Sequence, residues 1–205
     1  MSERESPADA GPEKSVHPLQ FSWTFWYDMP RGIKPSQENW SNNVKPFAEV
    51  DTVEKFWAVM NNIVEPSRLP PGSNLHVFKH GIRPEWEDAM NEAGGKWVVT
   101  LPKKELPRID EFWLNSLIGI LGEHFEAKAS DDICGLVVSV RKDRGRLALW
   151  NKSALREDLR RSIGKRWREI LSSGGLPRDL DLEYMVHKDA MAYDRSYVSK
   201  ALDRL

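Results

Sequence analysis

The segment 135–150, GLVVSVRKDRGRLALW, carries two arginines and a tryptophan whose types suit the binding of a charged ring compound. The guanidiniums of Arg141 and Arg146 are planar forks that make paired, charge-assisted hydrogen bonds to phosphate oxygens. The indole of Trp150 offers a face to a base or to a cation. Two further tryptophans, Trp40 and Trp86, stand in Pro- and Gly-rich surroundings where core packing does not obviously require them, and Glu87 follows Trp86 directly. A carboxylate accepts two N–H bonds side by side, and guanine presents such a pair at N1 and N2. A wrong base leaves the carboxylate unpaired, so this contact selects. Two indoles can sandwich the ring, at about 1–3 kcal/mol per stacked base. The attraction grows when the base is cationic, as N7-methylguanine is. Each feature also has a plainer account: solvated arginines on a half-exposed hairpin, a rim tryptophan, two loop anchors and a surface acid.

For these side chains to meet, the segment must be a hairpin. Lys142, Asp143, Arg144 and Gly145 form its expected four-residue loop, which sets Arg141 opposite Arg146, Ser139 opposite Ala148 and Val137 opposite Trp150. Side chains alternate along a strand. Leu136, Val138, Val140, Leu147 and Leu149 then share an apolar face, and Arg141, Arg146 and Trp150 share the other with small Ser139 and Ala148 between them.

The remaining elements follow from period and punctuation. Residues 1–16 are polar, with little to bury, and are expected to be disordered. A strand follows, with Leu19, Phe21, Trp23, Phe25 and Tyr27 alternating with Gln20, Ser22 and Thr24, and short strands are expected at 47–50 and 75–78. A helix is expected to open at Asp51, paired with Glu54 in capping-box spacing, and to run to about Glu65. Along 96–101, Trp97, Val99 and Leu101 face one way and Lys96, Val98 and Thr100 the other. A second helix, 107–121, has more apolar residues than one stripe needs: Ile109, Trp113, Leu117 and Ile120 suffice for a core face, leaving Leu114, Ile118 and Leu121 as a second row. A third helix, 153–171, has Leu155, Leu159, Ile163, Trp167 and Ile170 on one face and Arg156, Arg160, Lys165 and Arg168 elsewhere. A last strand alternates Leu180, Leu182, Tyr184 and Val186 with Asp181, Glu183 and His187. From Tyr193 to Leu205 a loop and a weak helix are open. This order has no βαβ rhythm. It predicts the α+β class: a curved antiparallel β-sheet backed on its convex face by three α-helices, with the Arg141/Arg146/Trp150 face left open.

Composition narrows the function. The chain has 205 residues and a net charge of −1, so any nucleic-acid contact is local rather than driven by a global basic field. Residues 17–205 are expected to form one domain. The single cysteine, Cys134, excludes a disulfide framework and fits a reducing compartment. No apolar run approaches the roughly 18 residues of a membrane span. The expected place is intracellular, in the cytoplasm, with the nucleus open as a second. The histidines are scattered and Asp131-Asp132 lacks partners at metal-site spacing, so no catalytic residue, metal or cofactor is assigned and the chain reads as a non-enzyme.

In chain order, HPLQ with a Trp-rich strand, Glu38-Asn39-Trp40, DTVEKFWAVMNNI, FKHGIRPEWED, GGKWVVTL, FWLNSLIGILGEHF, DDICGLVVSVR and LALW resemble the eukaryotic translation initiation factor 4E family, from about Val16 to His187. The resemblance implies a cupped sheet backed by three helices that binds the 7-methylguanosine cap of mRNA. It implies that Trp40 and Trp86 stack on the base, that Glu87 reads the guanine edge, and that the Trp86 backbone N–H meets guanine O6. Trp150 is then near the 7-methyl group, Arg141 and Arg146 hold phosphates, and Lys96 stands where the family has a basic residue near them. It further implies a dorsal surface for helical peptides carrying Tyr-x-x-x-x-Leu-apolar, as in the scaffold factor 4G and the 4E-binding proteins, built here from His17, Pro18, Val53, Trp57, Leu114 and Ile118. Apart from such partners the protein is expected to be a monomer.

Two departures stand out. Asn115 occupies a position where the family usually has an acid that pairs with a basic residue of the partner, so partner choice is open. The tail KDAMAYDRSYVSKALDRL differs from the family's loop near the second nucleotide, leaving Tyr193 and Arg195 as candidates for an extended or hypermethylated cap. Three functions are thereby weighed: a cap-binding initiation factor, a cap-binding repressor or specialised paralogue that does not recruit 4G, and a generic aromatic cage for methylated cations or single strands.

Overall fold

A computed structural model describes residues 15–30, 43–192 and 201–205. The expectations placed on residues 1–14, Trp40, Tyr193 and Arg195 lie outside these. The strands are β1 (Pro18–Asp28), β2 (Lys45–Thr52), β3 (Asn74–Lys79), β4 (Gly95–Pro102), β5 (Ile133–Val140), β6 (Arg144–Asn151), β7 (Leu182–Val186) and β8 (Asp203–Arg204). They form one curved antiparallel sheet in the order β2-β1-β3-β5-β6-β4-β7-β8. Bulges interrupt the β1–β2 and β5–β6 ladders, where local twist is increased.

Three longer helices cover one face: α1 (Val53–Met60), α2 (Ile109–Leu121) and α4 (Glu157–Ser173). Two six-residue helices not expected from the sequence, α3 (Ala127–Asp132) and α5 (His187–Ala192), complete the described set. The core lies between the long helices and the alternating apolar residues of the sheet. Trp23, Phe25, Val77, Trp97, Val99, Leu136, Val138, Leu147 and Leu149 meet Phe56, Phe112, Trp113, Leu117, Ile163 and Trp167. Burial of each such side chain contributes about 1.5–3 kcal/mol. Two of the indoles satisfy their N–H groups inside it: Trp97 donates to the Arg160 carbonyl at 2.9 Å and Trp167 to Ser116 Oγ at 2.9 Å.

Several boundaries move. Strand β2 runs through Thr52, so Thr52 caps α1 in place of Asp51, its Oγ1 accepting the Lys55 N–H at 3.2 Å. Asp51 pairs with Lys55 instead, at 2.7 Å. Pro107 sits in a 3₁₀ turn, Lys103–Arg108, that precedes α2. On α2 itself Leu121 is buried in the core, so the second row shrinks to Leu114 and Ile118. Leu155 lies before α4 and is 89% exposed, not in the core. The chain's last residues form a strand rather than a weak helix. Asp203 takes Arg160 at 3.2 Å and Arg161 at 2.9 Å, both on α4, while Arg204 and Asp203 pair with β7.

The hairpin register differs from expectation by two residues. Ser139 pairs with Arg146, Val137 with Ala148 and Gly135 with Trp150, because Arg141 closes the turn with an N–H bond to the Arg144 carbonyl at 2.9 Å. A slip of two leaves every side chain on its face, whereas a slip of one would have reversed them all. The face assignment therefore stands although the cross-strand partners change.

Candidate functional site

On the face away from the long helices, the ladder registers set side chains in rows. One row reads Thr24, Phe78, Gly135, Trp150, Lys96 and Met185 from β1 to β7. Another, four positions along each strand from it, reads Asp28, Asn74, Ser139, Arg146 and Thr100. The first row carries two aromatic rings, Phe78 and Trp150, and the second is polar throughout, so one end of the face suits a ring and the other an anion.

Phe78, Ile82, Val98, Cys134, Val137, Ala148, Trp150 and Met185 form a small second core on this face, and Trp86 packs against it. Trp150 is its centre. Phe78 meets Trp150 edge-on, with centroids 5.3 Å apart and planes at 78°. Glycine at 135 permits this, since a Cβ there would lie 2.5 Å from Phe78 Cγ. Burial pushes the Cys134 thiol up to about 12, so it serves here as a small apolar group.

Lys96 lies on this face with its Nζ 5.4 Å from the Trp150 ring. It is fully buried; desolvation, aided by the charge of Arg146, lowers its ammonium to about 7. The imidazole of His187 stacks on Trp150 from α5, centroids 4.1 Å apart. Burial, with the charge of Lys96, holds His187 well below the ordinary histidine range and hence neutral. His187 was not singled out from the sequence. Its parity with Asp181 and Glu183 carried the signal, because Glu183 and Met185 pair with Val98 and Lys96 of this face.

Trp86 and Glu87 sit on the connection 80–94 between β3 and β4. It has little regular structure but is heavily braced. The Asn91 amide donates to the carbonyls of Arg83 at 2.9 Å and Glu85 at 2.8 Å, one residue before Trp86. Asp88 accepts the N–H groups of Arg83 and Met90, both at 2.9 Å. Arg83 and Glu85 pair at 2.6 Å. Glu87 itself is exposed. Sequence reasoning missed Asn91 and Asp88, whose role depends on backbone groups that only the folded loop brings near.

Arg141 is half-buried at the polar end. Its Nη1 donates to the carbonyls of Val140 at 2.8 Å and Ser73 at 3.2 Å, and its Nη2 to Asn74 Oδ1 at 3.0 Å. Arg146 stands in the polar row between Ser139 and Thr100. The structure thus brings Arg146, Lys96 and Trp150 together, places Arg141 one strand position beyond the hairpin ladder, and sets Trp86 on the same small core. A flat ring and a polyanion can be held at once.

The family model described as Eukaryotic initiation factor 4E matches residues 18–201. The chain belongs to this family. It is 40% identical over 200 residues to eukaryotic translation initiation factor 4E-1 of Prunus domestica, covering 97% of this chain and 82% of that protein. To the protein of the same name from Arabidopsis thaliana it is 39% identical, covering 94% and 76%. Among solved structures, C. elegans eIF4E-3 in complex with the 4E-binding protein Mextli and a cap analogue is similar with a TM-score of 0.81 and 37% identity, covering 93% of this chain and 100% of that one. Ascaris suum eIF4E-3 with an m2,2,7G cap is similar with a TM-score of 0.82 and 34% identity, covering 93% and 99%.

The residues expected to form a partner surface lie on the helical side. The His17 carbonyl accepts the Val53 N–H at 2.9 Å, and Pro18 pairs with Thr52, so the start of β1 is laid along the start of α1. The His17 ring meets Glu54 at 2.6 Å and this bond lowers the Glu54 carboxyl to about 2. Val53 and Trp57 on α1 and Ile118 on α2 are large apolar residues left exposed, while Leu114 and Asn115 are half-buried. A Cβ at Gly174 would lie 2.5 Å from the Asn115 amide, so Asn115 packs closely against the end of α4. No helix among the described residues is long and apolar enough to cross a membrane.

Proposed function

We propose that this 4E-family protein binds the 7-methylguanosine 5′ cap of mRNA on the open face of its sheet and recruits helical partner peptides on its dorsal face, acting in translation initiation in the cytoplasm and catalysing no reaction. Trp86 and Trp40 sandwich the methylated base, Glu87 accepts guanine N1–H and N2–H, and the Trp86 N–H meets O6. Trp150 lines the 7-methyl group. Arg141, Arg146 and Lys96 take the phosphates. The observation that carries this reading is the ladder itself: Trp150, Lys96 and Arg146 meet on one face, with Trp86 packed on the same cluster. The relatives' complexes with a cap analogue and with m7G and m2,2,7G caps support it. Val53, Trp57, Leu114 and Ile118 form the apolar strip for the partner helix, flanked by His17, Pro18 and Asn115; the complex of a relative with Mextli supports this second part.

Titration of the intrinsic tryptophan fluorescence with 7-methyl-GTP and with GTP tests the cap reading. Quenching by the methylated ligand at concentrations where GTP has no effect is the expected result; equal affinities would point instead to a generic aromatic cage. A second reading, a cap-binding repressor or specialised paralogue that does not recruit 4G-type scaffolds, is favoured by one observation, the neutral Asn115. Pull-down of partners with wild type and with Trp57→Ala separates the two.

A further inference from the structure

We propose that Asp28 is a positioning residue for Arg141, acting through the side chain of Asn74, and that this relay sets how tightly the ligand's phosphates are held. The inference rests on the reading of Arg141 as a phosphate holder. Asp28, Asn74 and Ser139 are consecutive in the polar row, on β1, β3 and β5. The Asn74 Nδ2 donates to both oxygens of Asp28, at 2.7 and 2.9 Å, and its Oδ1 accepts from Arg141 Nη2 at 3.0 Å. The His76 ring braces the carboxylate from the same strand, Nε2 lying 3.1 Å from Asp28 Oδ1. Asp28, Asn74 and His76 are all buried.

The chemistry allows this chain of bonds one direction. A carboxylate only accepts and a guanidinium only donates, so an amide between them must turn its NH₂ to Asp28 and its oxygen to Arg141. The guanidinium is further held by the carbonyls of Ser73 and Val140. Among the described residues those bonds use both hydrogens of Nη1 and one of Nη2, leaving Nε–H and the other Nη2 hydrogen for an anion. Holding a long side chain in its bound geometry beforehand removes an ordering cost that binding would otherwise bear. Replacing the carboxylate by an amide leaves the order of the bonds fixed only from the Arg141 end and puts one neutral acceptor oxygen behind Asn74 in place of two charged ones. The amide, and with it the guanidinium, is then held less firmly.

The test reads affinity by tryptophan quenching for 7-methylguanosine and for its mono-, di- and triphosphate. Asp28→Asn and Asn74→Ala are expected to weaken triphosphate binding about five- to tenfold while leaving the nucleoside within about twofold, with the deficit growing as phosphates are added. The double exchange Asp28→Asn/Asn74→Asp puts the carboxylate beside Arg141 and the amide behind it, and is expected to restore triphosphate affinity. Equal losses for nucleoside and triphosphate would reduce the network to a structural brace and overturn the proposal, as would wild-type triphosphate binding in both single variants. If either single variant does not fold, the double exchange decides, since failure to recover the phosphate-dependent part sinks the relay. Arg141→Ala is the control for the underlying reading. Wild-type triphosphate affinity in that variant would overturn the phosphate assignment and the relay with it.

Discussion

The imidazole of His187 lies on the indole of Trp150, centroids 4.1 Å apart and planes inclined by 41°. This contact joins the short helix α5 to the aromatic row of the sheet and leaves neither ring nitrogen of His187 with a hydrogen-bond partner among the described residues. Because burial depresses its folded value, the unfolded chain takes up a proton near pH 6.5 that the folded chain refuses. Stability contributed here is present above about pH 6.5 and falls as pH drops below it, by up to about 1.4 kcal/mol per pH unit. Urea unfolding at pH 7, 6 and 5 is expected to show this slope in wild type and a flatter profile in His187→Phe, which keeps a ring on Trp150. Identical slopes would remove His187 from the acid limb.

Lys96, in the same row as Trp150, follows the same sign at higher pH. Its ammonium titrates at about 7 when buried and near 10.4 when unfolded, so the burial penalty is full below pH 7 and relieved as pH rises toward 10. Lys96→Met is expected to stabilise the ligand-free protein by on the order of 2–4 kcal/mol at pH 6.5, with the gap closing toward pH 9. The same variant is expected to bind 7-methyl-GTP about tenfold more weakly. Wild-type affinity should fall as pH rises above 7, because binding phosphate then requires the lysine to take up a proton. Calorimetry in buffers of different ionisation enthalpy measures that uptake, and its persistence in Lys96→Met would assign it elsewhere.

The base-reading residues predict a different pattern. Glu87→Ala is expected to abolish retention on 7-methyl-GTP resin, because the guanine edge loses both of its acceptors. Trp40→Ala is expected nearly to do so through lost stacking of about 1–3 kcal/mol or more. Glu87→Ala should leave the unfolding midpoint close to wild type, since Glu87 is exposed. Undiminished retention in either variant would refute the assignment.

Dorsal variants are expected to separate partner binding from cap binding. Trp57 is 40% exposed and packs edge-on against buried Phe56, centroids 5.0 Å apart. Trp57→Ala should lose a Tyr-x-x-x-x-Leu-apolar helical peptide in a pull-down while keeping 7-methyl-GTP affinity. Asn115→Glu should raise affinity for peptides with a basic residue facing that position, by about two- to fivefold for a partly exposed ion pair. Equal affinity for basic and neutral peptides in both forms would show that Asn115 does not set partner choice.

Much of this was legible along the chain because a strand's side-chain period is local. The alternation within 135–150 put Leu136, Val138 and Leu149 inside and Arg146 and Trp150 on the open face, and the ladders agree. Helix ends and cross-strand partners were less legible. Thr52 replaced Asp51 as the cap because β2 reached one residue further than its apolar pattern showed. The hairpin paired two residues out of the expected register because its turn closed on Arg144. Leu155 fitted a helical stripe but lies before α4 begins.

Residue types and spacing by themselves determined the two faces of the 135–150 hairpin, and the ordered motifs along the chain carried the resemblance to the family it belongs to. Only the tertiary structure decided that His187 rests on Trp150, that Asn91 braces the Trp86 loop, and that Asp28 reaches Arg141 through Asn74. The reason is range. Alternation and helical period act over a few residues, where sequence spacing stands in for distance. These contacts join groups from separate elements or from both ends of a folded loop, and depend on backbone carbonyls and buried ring faces that no residue type announces.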